Sequence, residues 1–161
     1  FKTNTGIHHS GSPSIIIPQD NNKILVAGIF SSYDDVPCSY ITRLNMDGTV
    51  DNTFNISGGT NNGGITTVAV QLDGKILIGG TFTRFNGNNG HNRILRVNSD
   101  GSLDNTFNPG TAFSNDVHYI KVQPDGKILV GGSFLNFQGN YNPFIIRLNP
   151  DGSKDNTFNP P

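Results

Sequence analysis

The stretch QPDGKILVGGSF runs from Gln123 to Phe134, and the chain writes it three times. Gln71 to Phe82 reads QLDGKILIGGTF, and Pro18 to Phe30 reads PQDNNKILVAGIF. The isoleucine of each KIL triplet, Ile24, Ile76 and Ile128, recurs every 52 residues. A second block follows each copy of the first: RLNMDGTVDNTFN from Arg43, RVNSDGSLDNTFN from Arg96 and RLNPDGSKDNTFN from Arg147. Its spacings are 53 and 51 residues, so length varies only between the blocks. Two rigid blocks at a fixed period near fifty residues define a structural repeat, and that period points first to propeller blades. The repeats span about 1–53, 54–106 and 107–161 of a single repeat domain.

Each repeat reads as four strands. The first is ITTVAVQ (Ile65 to Gln71), with Ser14 to Ile17 and Val117 to Gln123 as its counterparts. Asp73-Gly74 and Asp125-Gly126 follow, a pair that tolerates the positive φ of a two-residue hairpin. The second strand is KILIGGTF, the third RILRVN, and a second Asp-Gly turn leads to a short fourth strand around SLDNTF. Ile76, Leu77 and Ile78 are apolar without alternation. A strand covered on both faces reads that way, and a blade between two others is so covered. The paired glycines Gly79-Gly80 and Gly131-Gly132 (Ala27-Gly28 in the first copy) suit close backbone approach. They are not a phosphate loop, since no GxGxxG or GxxxxGK[ST] pattern accompanies them.

Composition agrees. Only 34% of residues are hydrophobic and 14% charged, with 20 glycines, as expected of short strands joined by tight turns. The net charge is −1, from 11 basic and 12 acidic residues, and no basic run suggests a nucleic-acid partner. No apolar stretch approaches the roughly 20 residues that cross a bilayer. Cys38 stands alone. The chain opens on Phe1 rather than Met, at the repeat phase of Phe54 and Phe107, which is expected of a processed product or a piece of a longer chain.

QPDGKILVGGSF followed by RLNPDGSKDNTFN resembles the delta-60 repeat, over nearly the whole chain. The first copy departs most, with QDNNK at the turn and Ala27 in place of a glycine. The resemblance implies a β-propeller fold. It also implies the company that family keeps, in bacterial secreted or surface proteins and phage tail-associated proteins, and so an extracellular or virion-associated location. The fold expectation is therefore all-β, with three four-stranded antiparallel repeats as propeller blades. Closure of the three repeats on themselves, as a β-trefoil or β-prism, is the alternative. Propellers close with four to eight blades. The expected partners are thus other blades of a longer chain or a homo-oligomer.

The search for chemistry returns little. His8, His9, His91 and His118 sit at different repeat phases without ligand spacing. The NxDGxxD stretches mimic part of a calcium loop, but its first position is Arg43, Arg96 or Arg147 and its twelfth is Phe54, Phe107 or Phe158. No metal, cofactor or catalytic residue is assigned. The expected function is a non-catalytic structural or interaction module for adhesion or receptor binding. The alternatives are a lectin-like carbohydrate-binding domain, or a part of a propeller hydrolase with a shared active site. Binding is expected on the long loops that differ between copies, through Tyr33, Tyr40, Asn88, Asn89, His91, Asn140 and Tyr141, with a surface glycan or protein receptor as partner. Phe85 and Phe137 recur at matched phase, which favours packing under those loops. Finally, each repeat places an arginine eight residues before an aspartate: Arg43 and Asp51, Arg96 and Asp104, Arg147 and Asp155. Across the hairpin between strands three and four these pairs can meet, and a partly buried ion pair locking each fourth strand is expected.

Overall fold

The computed structural model describes residues 7–8, 12–56, 58–61, 63–87 and 91–160. Nine strands form three antiparallel sheets, one per repeat. The first sheet holds β1 (Pro13–Gln19), β2 (Lys23–Gly28) and β3 (Ile41–Asn45). The second holds β4 (Ile65–Val70), β5 (Ile76–Gly80) and β6 (Ile94–Val97). The third holds β7 (Val117–Val122), β8 (Ile128–Gly132) and β9 (Ile145–Leu148). In each sheet the KIL strand is central, paired on both edges. The expected fourth strand is reduced to one bridge: Leu44 to Val50, Val97 to Leu103 and Leu148 to Lys154. Just beyond it the chain turns through Asp51 to Phe54, where the Phe54 N–H donates back to the Asp51 carbonyl, so the ladder cannot extend.

The sheets stack in series. One apolar core joins the first and second through Leu25, Ala27 and Ile41 against Ile76, Ile78 and Val97. Another joins the second and third through Leu77 and Ile94 against Ile128, Val130 and Leu148. Among the described residues no such core joins the first sheet to the third. The described sheets thus stack in series and do not show the three-fold closure of a trefoil or prism. β5 is buried at every position because a neighbouring sheet covers each of its faces.

The turns differ in detail from the two-residue hairpin expected. Gln71 N–H donates to the Lys75 carbonyl (2.8 Å) and Gly74 N–H to the Gln71 carbonyl (3.0 Å), which closes a three-residue loop. Only Gly74 takes positive φ, at 81°, while the Asp73 carboxylate caps the Lys75 N–H. This is a type I turn completed by one left-handed residue. Asn22 fills that place in the first repeat at φ 57°, and asparagine tolerates it better than other side chains do. The divergent QDNNK thus keeps the geometry.

The diglycine faces a bulge. Ile65 pairs with Gly80 and Thr67 with Gly79, which leaves Thr66 as the extra residue, and the same shift recurs between Pro13 and Ile15 and between Val117 and Tyr119. A Cβ on Gly80 would lie 2.1 Å from the Gly64 carbonyl oxygen, and on Gly132 the same distance from that of Asp116. The second glycine is required by backbone contact. Thr66 uses its freed hydroxyl to reach the Val117 carbonyl, and the Ile120 N–H donates to Thr67 Oγ1, so the bulge also ties neighbouring sheets together.

Candidate functional site

The recurring polar residues converge on one node per repeat. Arg96 Nε donates to Asp104 Oδ2 at 2.7 Å, and Arg43 to Asp51 at the same distance. Arg147 meets Asp155 at 2.6 Å. A lysine shares the same carboxylate oxygen: Lys75 and Lys127 at 2.8 Å, Lys23 at 3.4 Å. The other oxygen accepts the hydroxyl and backbone N–H of Thr53, Thr106 or Thr157. The guanidinium carbon stacks over Phe54, Phe107 or Phe158, at 4.8 to 4.9 Å from the ring centroid. Each aspartate is saturated by charge-assisted bonds. Burial pushes the Asp51 carboxyl pKa up, but bonds from Thr53 and Arg43 outweigh it and hold the group well below the usual carboxylate range. Asp104 behaves alike through Lys75, Thr106 and Arg96. Asp155 is held low first by Lys127, then by Thr157 and Arg147.

The lysine of KIL and the threonine of DNT were not among the residues singled out from the sequence. Their signal was their recurrence in all three copies at fixed phase. The node explains why the two blocks travel together, since the first supplies the lysine and the second the arginine, aspartate, threonine and phenylalanine.

Asp47, Asp100 and Asp151 do separate work. Each Oδ1 accepts the hydroxyl and N–H of the residue two positions on, Thr49, Ser102 or Ser153, in an Asx turn. Asn45, Asn98 and Asn149 donate to the same hydroxyls. The residues that resembled a calcium loop are spent on turn geometry.

The long loops between the second and third strands are more regular than their sequences. Ser32–Tyr33 pairs with Val36–Pro37, and Asn136–Phe137 with Asn140–Tyr141. Both residues of each connecting turn take positive φ: Asp34 and Asp35, Gln138 and Gly139, and likewise Asn86 and Gly87. That is the type I′ pattern. The segment before each first strand pairs with this hairpin too, through Ile7 and Tyr33, Thr60 and Phe85, Phe113 and Phe137. The two variable loop sets are thus zipped into one edge.

The candidate binding residues divide accordingly. Tyr33 packs against Val26, Phe30 and Leu44, and its hydroxyl donates to the Gly48 carbonyl. Tyr40 packs on the core between the first two sheets. His91 is half-buried, edge-on to Phe85 at 6.1 Å, and burial lowers its pKa. Asn140 is exposed and Tyr141 is 74% exposed. Asn88, Asn89 and His9 lie outside the described residues. Among the described residues no bond or ring contact joins candidates from different repeats into one site. Phe85 and Phe137 are core, the latter 5.0 Å from Phe113. Cys38 is half-buried and its thiol pKa is pushed up to about 11 by burial, the opposite of an activated nucleophile.

A concave feature lies at the opposite edge. A cleft of about 790 Å3 opens between the Asp-Gly turns of the second and third repeats, lined by Gln71, Leu72, Arg96, Lys121, Gln123 and Pro150. Arg96 Nη1 occupies Gln71 Oε1 there, while the buried Gln123 Oε1 has no partner among the described residues.

Stacked antiparallel sheets, each clamped by one arginine–aspartate–lysine node, define a tandem all-β repeat protein. The chain belongs to the family described as domain of unknown function (DUF5122) beta-propeller, whose model matches residues 19–54, 71–107 and 123–158. The delta-60 repeat is the same propeller-type repeat. No curated protein and no solved structure matches the chain.

Proposed function

We propose that the chain is a run of propeller blades serving as a non-catalytic interaction module of a secreted, surface or virion-associated protein. The carrying observation is where the polar groups go. The recurring arginines, lysines and aspartates are consumed by internal nodes, and the aspartates are held ionised, which suits clamping and not proton donation. Of the expected binding residues, Asn140 and Tyr141 face solvent on the paired loops, an amide and an aromatic on a hairpin braced by Phe113 and Phe137. Rigidly held tyrosine with adaptable amides is the chemistry of protein and glycan recognition. The exposed Tyr141 ring supports a carbohydrate reading in particular, since it offers a free face for stacking. Glycan-array and surface-plasmon screens with Tyr141→Ala and Asn140→Ala test this. Binding lost in both variants with unchanged melting supports the loop edge. Binding lost instead on Gln123→Ala moves the site to the cleft, and hydrolysis of a bound glycan overturns the non-catalytic assignment.

A further inference from the structure

One backbone position recurs in a strained form. Tyr40, Arg93 and Phe144 stand just before the third strand of each repeat, with φ of 69°, 69° and 66°. Their N–H groups donate to the Phe30, Phe82 and Phe134 carbonyls, and their own carbonyls accept from the Gly28, Gly80 and Gly132 N–H groups. The pairing thus fixes a left-handed residue here whatever its side chain is. In the first joint the side chain is the Tyr40 ring, packed on the core between the first two sheets. Across that joint the second repeat offers Gly64, which has no side chain. The same two places in the joint between the second and third repeats, inside the chain, hold Arg93 and Asp116.

This pair leaves half of its groups unspent. Arg93 Nη1 donates to Asp116 Oδ1 at 2.7 Å and to the Thr81 carbonyl. Asn92 donates from Nδ2 to the Phe113 carbonyl at 3.2 Å, so both residues reach the segment 113–116 of the third repeat. Arg93 Nε and Asn92 Oδ1 are buried without a partner. Arg93 Nη2 and Asp116 Oδ2 also bond to nothing among the described residues, and the two side chains keep 17% and 29% exposure, so the group opens to solvent. In the node, Arg96 fills the same Nε–Nη2 edge with the oxygens of Asp104 and Thr106. Nor does the joint depend on this pair to hold. Arg96 Nη1 crosses to the Pro150 carbonyl (2.7 Å), as Arg43 Nη1 crosses to that of Ser99 (2.6 Å) in the first joint. A half-satisfied polar network is a costlier filling than an apolar one, and the first joint shows that this frame accepts a ring against a glycine.

We propose that Asn92, Arg93 and Asp116 bind adjacent hydroxyl groups of a neutral sugar; the ligand class rests on the glycan reading above, and the place rests on the joint. The unspent groups are two donors, Arg93 Nε and Nη2, and two acceptors, Asp116 Oδ2 and Asn92 Oδ1. The charges of Arg93 and Asp116 cancel. A hydroxyl donates and accepts through one oxygen, so two neighbouring hydroxyls accept from the guanidinium edge and donate to the carboxylate and the amide. A ligand carboxylate or sulfate only accepts, and would set its charge against two further acceptors. Phe113, whose carbonyl Asn92 holds, also pairs with Phe137 under the Asn140–Tyr141 hairpin, so this site and the exposed Tyr141 ring share one edge.

Titration of the nitrogen-15-labelled chain with methyl mannoside and methyl galactoside, read through the Arg93 Nε–H resonance, tests the proposal. That resonance is expected to shift with at least one of the two sugars and to stay put with sodium sulfate. Arg93→Lys keeps the charge but removes the guanidinium edge, and is expected to weaken binding about 10-fold. Arg93→Tyr combined with Asp116→Gly installs the filling of the first joint. This double variant is expected to melt no lower than the parent and to lose the sugar. If it does not fold by circular dichroism, Arg93→Lys decides alone. Variants that melt lower yet bind sugar as the parent does make the pair a structural latch and overturn the site, and a shift with sulfate alone overturns the ligand class. Sugar binding that is lost on Tyr141→Ala, while the parent's Arg93 resonance never moves, overturns this site and leaves the glycan reading standing. A parent that binds neither these sugars nor any glycan on an array overturns both.

Discussion

The second and third repeats carry nearly the same signature and sit in different surroundings. Leu77 is fully buried and Leu129, its counterpart, only partly. The Arg96 side chain keeps 7% exposure and that of Arg147 keeps 21%. Within each repeat the node is the same, with arginine to aspartate at 2.7 and 2.6 Å. Of these two arginines, only Arg96 makes a cross-repeat bond among the described residues. The repeat's internal frame is thus set by its own residues, and the burial of its far face is set by the next repeat.

The largest expected contrast is electrostatic. Asp104→Ala leaves the buried Arg96 without its carboxylate, so a loss of about 3–5 kcal/mol is expected in urea unfolding. Asp155→Ala is expected to cost clearly less, because water reaches Arg147. Equal losses would break the comparison.

Packing gives the next contrast. Ile94→Ala opens a cavity between two sheets and is expected to cost about 2–4 kcal/mol. Ile145→Ala, at a position 41% exposed, is expected to cost under about 1 kcal/mol.

Acid titration sharpens the picture further. Asp51, Asp104 and Asp155 are all depressed in the folded state. A depressed carboxylate contributes its stability above the unfolded value near about 4 and loses it as pH falls towards the folded one. The urea midpoint is expected to hold steady from neutral pH to about 5 and to drop below about 4. Asp104→Asn is expected to flatten that drop in part.

The smallest effect concerns one methyl. A Cβ on Gly79 would lie 2.8 Å from Ile120, Thr67 and Val117 side chains, but on Gly131 nothing comes closer than 3.7 Å. Gly79→Ala is expected to cost about 1 kcal/mol through overpacking, and Gly131→Ala close to nothing. Ala27 holds this position in the first repeat and is fully buried, so that joint already accommodates a methyl.

Much of the frame was legible in the chain. The KIL strands could be read as buried on both faces because their apolar residues do not alternate. The arginine–aspartate pairs could be read from an eight-residue spacing across a turn. The diglycine could be read as a backbone contact. The fourth strand was over-read: the motif's length suggested a strand, but the chain turns back at Asp51, Asp104 and Asp155 after one bridge. The surroundings of the loop candidates were not legible: Tyr33 and Tyr40 stand in polar, variable stretches yet pack against the cores, and His91 meets Phe85 edge-on.

By itself the sequence determined the local elements and the repeat, because turns, β-branched strands and short-range ion pairs depend on residues within one copy. Tertiary structure alone decided which copies of the same letter are buried, which arginine finds a carbonyl, and which face stays open. Those depend on what stands against the sheet, and identical residues at Ile94 and Ile145 carry no mark of their neighbours.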